Sequence, residues 1–147
     1  MLGDIQAAIN YLYQLPQVKK TGVGTIGFCF GGHVVYLAAT LKEVAATASF
    51  YGAQIATWGP GENEPTITRT QNIQGSIYAF FGNNDSLIPN EQVAQIEAEL
   101  KEREIKHKIF RYDDVGHGFF CDRRDSYNQD ATDDAWQNTL ELFSQNL

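Results

Sequence analysis

The chain has 147 residues, 11 Lys and Arg against 18 Asp and Glu for a formal charge of −7, and 43% hydrophobic and 20% charged residues. This is the length of one domain, residues 1–147, and an ordinary composition for a globular chain, which excludes disordered and fibrous classes. The acidic balance offers no basic stripe to a nucleic-acid backbone, and no apolar run approaches the roughly 20 residues of a bilayer span, so neither nucleic acid nor membrane is an expected partner.

Residues 1–20 lack the basic-then-apolar layout of a secretory leader, so the expected location is cytoplasmic. "LGDIQAAINYLYQLPQV" spaces Ile5, Ile9 and Leu12 along one face of an amphipathic helix, with Asp4 as N-cap and Pro16 as stop. "VGTIGFC" reads as a short strand, and "GGHVVYLAATL" as a helix packed behind it. "VAATASFY" and "SIYAFFG" are continuous apolar runs of the kind found in strands covered on both faces. Between them Gly52 to Gln74, with "WGPGENEPT" at its centre, predicts a long loop over the carboxyl ends of the strands. Pro89 opens a charged helix, "PNEQVAQIEAELKERE", whose buried stripe is Val93, Ile96 and Leu100. "HKIFRY" is a further strand, and "DATDDAWQNTLELFSQNL" a final helix whose acidic start suits the dipole. Alternating strand and helix predicts an α/β fold with a mostly parallel sheet flanked by helices.

The two cysteines, Cys29 and Cys121, have neither the number for a disulfide framework nor a Cys-x-x-Cys or Cys/His spacing for zinc, so no metal site is expected. Gly27-Phe28-Cys29-Phe30-Gly31 lies where a strand hands over to a helix, the setting of a nucleophile elbow. The Gly-x-x-x-Gly pattern alone arises about once by chance in a chain of this length, so its position supplies the weight. Bulky residues at Gly27 and Gly31 are expected to collide in so tight a turn. The turn lifts the Cys29 thiol above the sheet at a helix N-terminus, which favours thiolate, and the N–H of Phe30 supplies half of an oxyanion hole.

A thiol nucleophile needs a base, and the base needs an orienting acceptor. "FFGNNDSLIP" places Asp85 just past a strand end, and "DVGHGFF" places His117 in a glycine-flanked loop beyond the last strand. Nucleophile, acid, histidine is the chain order of α/β-hydrolases, and all three fall at carboxyl ends of parallel strands, where open sheets build their sites. His33, inside a helix turn, and His107, at a strand start among charges, are expected to be structural or solvated. Cys121 has no base of its own and is expected to be structural.

Through "GFCFGG", "GNNDSLIP" and "GHGFFCDRRDSYN", with the helices before the elbow and at the C-terminus, the sequence resembles the dienelactone hydrolases (carboxymethylenebutenolidases) over essentially its whole length. The resemblance implies an α/β-hydrolase fold and a triad of Cys29, His117 and Asp85. It also implies cofactor-free hydrolysis of an activated lactone or ester through an acyl-thioester, with Tyr51 on the substrate pocket. The family's usual chain is longer at its N-terminus, so the implied fold is N-terminally truncated, and the second oxyanion donor belongs to a loop of that earlier part. The position four beyond the histidine, an arginine in the best-known members, is Cys121; Arg123, or Arg124 beside it, is the expected substitute for binding a carboxylate. Without an earlier neighbour "VGTIGFC" becomes an apolar sheet edge, which predicts a homo-oligomer formed through it. The alternative expectation is an inactive fragment or binding module that keeps the fold and half an oxyanion hole.

Overall fold

The computed structural model describes residues 1–61 and 64–147. In chain order it has α1 (Leu2–Leu12), β1 (Val23–Phe28), α2 (Phe30–Ala38), β2 (Val44–Phe50), a 3-10 helix (Thr66–Asn72), β3 (Ser76–Gly82), α3 (Asn90–Glu102), β4 (His107–Tyr112) and α4 (Gln129–Asn146). The four strands form one parallel sheet in the order β1-β2-β3-β4, so the continuous apolar runs of β2 and β3 occupy its centre. A crossover between neighbouring parallel strands is right-handed, and strands taken in sequence place successive crossovers on one face. A Cβ on Gly27 would meet Val35 of α2, whereas one on Gly24 would meet Phe143 of α4 and Leu147 just after it. Strand residues of opposite parity point to opposite faces, so α2 and α4 cover opposite sides of the sheet.

Register is locked by a ladder of phenylalanines, one from each strand. Phe28, Phe50, Phe80 and Phe110 are partners across β1 to β4, with successive ring centroids 4.7, 4.5 and 4.8 Å apart. Each aromatic pair adds about 0.5–1.5 kcal/mol beyond the area it buries. A one-residue slip would turn every ring to the other face.

Several boundaries depart from the sequence reading. The N-cap position of α1 is Met1, not Asp4, which sits in the first turn and pairs with the N-terminal amine at 2.9 Å. The helix ends at Leu12, four residues before Pro16. Of its expected stripe only Ile9 is buried, while Leu12 is 40% exposed. The stretch between β2 and β3 is not all loop. Thr66–Asn72 forms a 3-10 helix whose buried Thr66 and Thr70 bond to His33 and to Tyr36 of α2; Glu62 and Asn63, in the centre of "WGPGENEPT", lie outside the described residues. The acidic start of α4 is capped by Asn128, whose side chain accepts the Ala131 N–H at 2.9 Å.

β1 and β4 are the sheet's two edges, and β1 presents Ile26 at 39% and Phe28 at 38% exposure, next to Phe30 at 54%. A groove of about 470 Å³ follows this edge between α1 and α2, with Ile5, Ile26 and Val34 on its walls.

Candidate active site

β1 ends at Phe28 and α2 begins at Phe30, leaving Cys29 alone in the turn between them. Its φ of 55° and ψ of −119° lie where a side chain is strained, at a cost of order 1–3 kcal/mol. The Cys29 N–H donates to the Phe50 carbonyl at 3.0 Å, which ties the elbow to the end of β2. Gly27 is required, since a Cβ there would lie 2.1 Å from the Gly31 carbonyl oxygen. The expectation for Gly31 is corrected: a Cβ there meets nothing within 4 Å, and the tight position is Gly32, whose Cβ would lie 2.5 Å from the Phe50 oxygen. The approach of α2 to the end of β2 therefore sets the second glycine, not the turn itself. As the first residue of α2, Phe30 has an N–H with no acceptor inside the helix.

The structure brings Cys29, Asp85 and His117 together from three strand ends. His117 Nε2 lies 3.1 Å from Cys29 Sγ, and its Nδ1 lies 2.7 Å from Asp85 Oδ2. The Asp85 side chain is fully buried, and its other oxygen accepts the Leu87 N–H at 2.9 Å, so the turn after β3 both satisfies and aims the carboxylate. With Asp85 ionised, the Nδ1–H donates to it, which leaves the Nε2 lone pair facing the thiol. The hydrogen bond to Asp85 raises the His117 pKa above its ordinary value of 6.5; burial pulls the other way, and the contact with Cys29 adds to the rise. Ser126 donates to the His117 carbonyl at 2.7 Å, and the Tyr51 ring stands edge-on to the imidazole at 5.1 Å.

A cavity of about 460 Å³ opens at the thiol, walled by Phe28, Cys29, Tyr51, Phe120, Cys121 and Arg124. Tyr51 is buried and its pKa is pushed up to about 12, first by burial and then by the neighbouring Cys121. One sequence expectation is corrected. Arg123 does not reach the cavity: its side chain is 90% exposed, with Asp122 at 3.9 Å, while Arg124 lies on the cavity wall and packs its guanidinium against Gly118. Cys121 is half-buried on the same wall as Cys29. Phe120 and Cys121 went unnoticed as wall residues, although both lie in the segment just after His117. His33 is structural, as expected. Its Nδ1–H donates to the Ala53 carbonyl at 2.8 Å and the Thr66 hydroxyl donates to Nε2 at 2.7 Å, while burial lowers its pKa. His107 bonds the Ile105 carbonyl at the start of β4.

The chain as a whole has counterparts among known proteins. Residues 1–147 match the dienelactone hydrolase family. The chain belongs to the dienelactone hydrolase family. It is 54% identical over all 147 residues to a Synechocystis sp. protein provisionally named as a carboxymethylenebutenolidase, and covers 60% of that protein. It is 28% identical over 142 residues to a Bradyrhizobium protein named for lactonase activity on 2-oxo-3-(5-oxofuran-2-ylidene)propanoate, covering 95% of this chain and 57% of the relative. A dienelactone hydrolase-type crystal structure from Klebsiella pneumoniae superposes with a TM-score of 0.90 at 22% identity, over 98% of this chain and 60% of that one. At that identity the likeness concerns the fold: a parallel sheet flanked by helices, of the α/β-hydrolase type. The chain thus spans less than two thirds of the length of these relatives. Among the described residues no helix is long and apolar enough to cross a membrane.

Proposed function

We propose that this dienelactone hydrolase-family chain cleaves an activated lactone or carboxylic ester through an acyl-thioester on Cys29. The observation that carries the reading is the continuous line of contacts from Asp85 through His117 to the Cys29 sulfur, at 2.7 and 3.1 Å. His117 Nε2 takes the thiol proton as sulfur bonds to the substrate carbonyl carbon. The carbonyl oxygen becomes an oxyanion beside the Phe30 N–H. Its collapse breaks the bond to the leaving oxygen, which takes the proton back from His117 and leaves the thioester. Water, deprotonated by His117, then attacks the thioester carbon, and the acid departs as Cys29 regains its proton. Asp85 holds the imidazole in the tautomer each step needs. No step calls for a cofactor or a metal.

Arg124 supports a substrate that carries a carboxylate. Among the described cavity residues it is the cation, and a guanidinium binds a carboxylate through two parallel N–H bonds. The substrate named for the Bradyrhizobium relative is a lactone bearing a propanoate, which suits such an anchor. The test is to incubate the chain with iodoacetamide at neutral pH and, in parallel, with p-nitrophenyl acetate and an enol-lactone carboxylate. The expected result is stoichiometric alkylation of Cys29, turnover of both substrates, and loss of turnover on alkylation. Alkylation without any turnover would replace this reading with that of a binding module which keeps the fold.

The open edge of β1 supports a second part of the proposal, association of two copies through that edge. An edge strand that carries exposed Ile26 and Phe28, with exposed Phe30 just after it, is a template for another strand. Light scattering is expected to give twice the chain mass at micromolar concentration. A concentration-independent monomer would remove this part.

A further inference from the structure

A second cavity, of about 250 Å³, shares Phe120 with the cavity at Cys29 and is walled by Phe120, Thr132, Asp133 and Trp136. The rings of Phe28, Phe120 and Trp136 follow one another at centroid distances of 5.1 and 6.2 Å, each pair tilted, so an aromatic strip leads from beside the sulfur out along the surface of α4. Trp136 ends the strip and is 41% exposed; Phe28 begins it at 38%.

We infer that this strip binds an uncharged aryl or long acyl arm on the substrate. The inference rests on the hydrolase reading for the identity of the ligand but on separate residues for its site. A single exposed aromatic needs no explanation, but exposed Phe28 and Trp136 joined by the half-buried Phe120, which lies on the wall of the nucleophile's cavity, make an apolar track with a catalytic end. The polar groups beside the track narrow the chemistry. The Thr132 hydroxyl is engaged with the Phe119 and Asn128 carbonyls at 3.1 and 2.7 Å, which leaves the aromatic faces as the main surface offered. Asp133 repels an anion at the outer end. A carboxylate is therefore held at Arg124, and the arm that reaches Trp136 carries no negative charge. Offset and tilted rings are the arrangement into which a further aromatic ring inserts with favourable edge and face contacts. The chain thus selects acyl groups by what they place some distance from the scissile bond, with Trp136 as the residue that sets specificity.

Two measurements on the intact chain test this. The first compares kcat/KM for p-nitrophenyl 4-phenylbutanoate and p-nitrophenyl acetate, which share a leaving group. The aryl ester is expected to be favoured about tenfold or more, and Trp136→Ala to erase most of that ratio while Trp136→Phe retains part of it. The second needs no turnover. The chain has two tryptophans, so Trp58→Phe leaves Trp136 as the sole indole reporter. Titration with 4-phenyl-2-butanone, a neutral aryl ketone with no ester bond, is expected to change its emission saturably and to slow iodoacetamide labelling of Cys29. A saturable change without ester turnover supports the arm site and overturns the hydrolase reading alone. A ratio identical in wild type and Trp136→Ala, or emission unmoved by the ketone, overturns the arm site. So does a Trp136 already shielded from acrylamide in the ligand-free protein, because another copy of the chain would then occupy the strip.

Discussion

Cys29→Ala is expected to reduce turnover of an activated ester about a thousandfold or more while leaving the chain folded. The nucleophile is the one member of the constellation with no stand-in, and what survives its loss is the rate left by binding and the Phe30 amide. The same position stores strain, because a residue with a side chain sits at φ 55° and ψ −119°. Cys29→Gly removes the side chain that the conformation disfavours, so this variant is expected to be equally inactive but more stable than Cys29→Ala by about 1 kcal/mol or more. Urea unfolding of the two inactive variants reads that difference directly. A Cys29→Ala protein with full activity would displace the nucleophile assignment. Equal stabilities would show that the elbow carries no strain.

The parts of this molecule that were legible in its sequence are those in which local pattern and global fold agree. The runs "VAATASFY" and "SIYAFFG" announce buried central strands because a parallel strand covered on both faces has no polar side to show. Cys29, Asp85 and His117 were legible for a related reason: each follows a strand end in a glycine- or asparagine-rich turn, and a parallel sheet gathers such turns at one rim. What escaped depends on contacts between distant residues. "TITRTQN" has no apolar period, yet it forms a 3-10 helix because His33 and Tyr36 of α2 bond to Thr66 and Thr70. Arg123 and Arg124 are equivalent by sequence, and the turn that joins the Arg124 N–H to the Cys121 carbonyl at 3.0 Å decides which of them reaches the cavity. Leu12 fits the helical stripe of α1, but the stripe finds a buried seat only at Ile9. The phenylalanine ladder was hidden because its order exists only once the four strands are in register.

Asp85→Asn isolates what the carboxylate does. An asparagine fits the same turn, but its amide can donate to Nδ1, which moves the imidazole proton to Nε2 and leaves nothing to accept from the thiol. Turnover is expected to fall about a hundredfold to ten-thousandfold, with His117 still in place. The pH profile should change in a defined direction. Asp85 is the main reason the His117 pKa stands above 6.5, so in the wild type the acid limb of kcat/KM lies above that value; in Asp85→Asn it moves down. Stability follows the same linkage. A group with a raised pKa in the folded chain stabilises fully below its unfolded value, and the contribution is lost as pH rises through the folded value. The wild-type chain is therefore expected to lose stability relative to Asp85→Asn as pH climbs from 6.5 through the raised His117 pKa, because only the wild type has this contribution to lose. Chemical unfolding at intervals across that range measures it. Parallel curves for the two proteins would mean that the short contact between Asp85 and His117 does not help hold a proton on the imidazole.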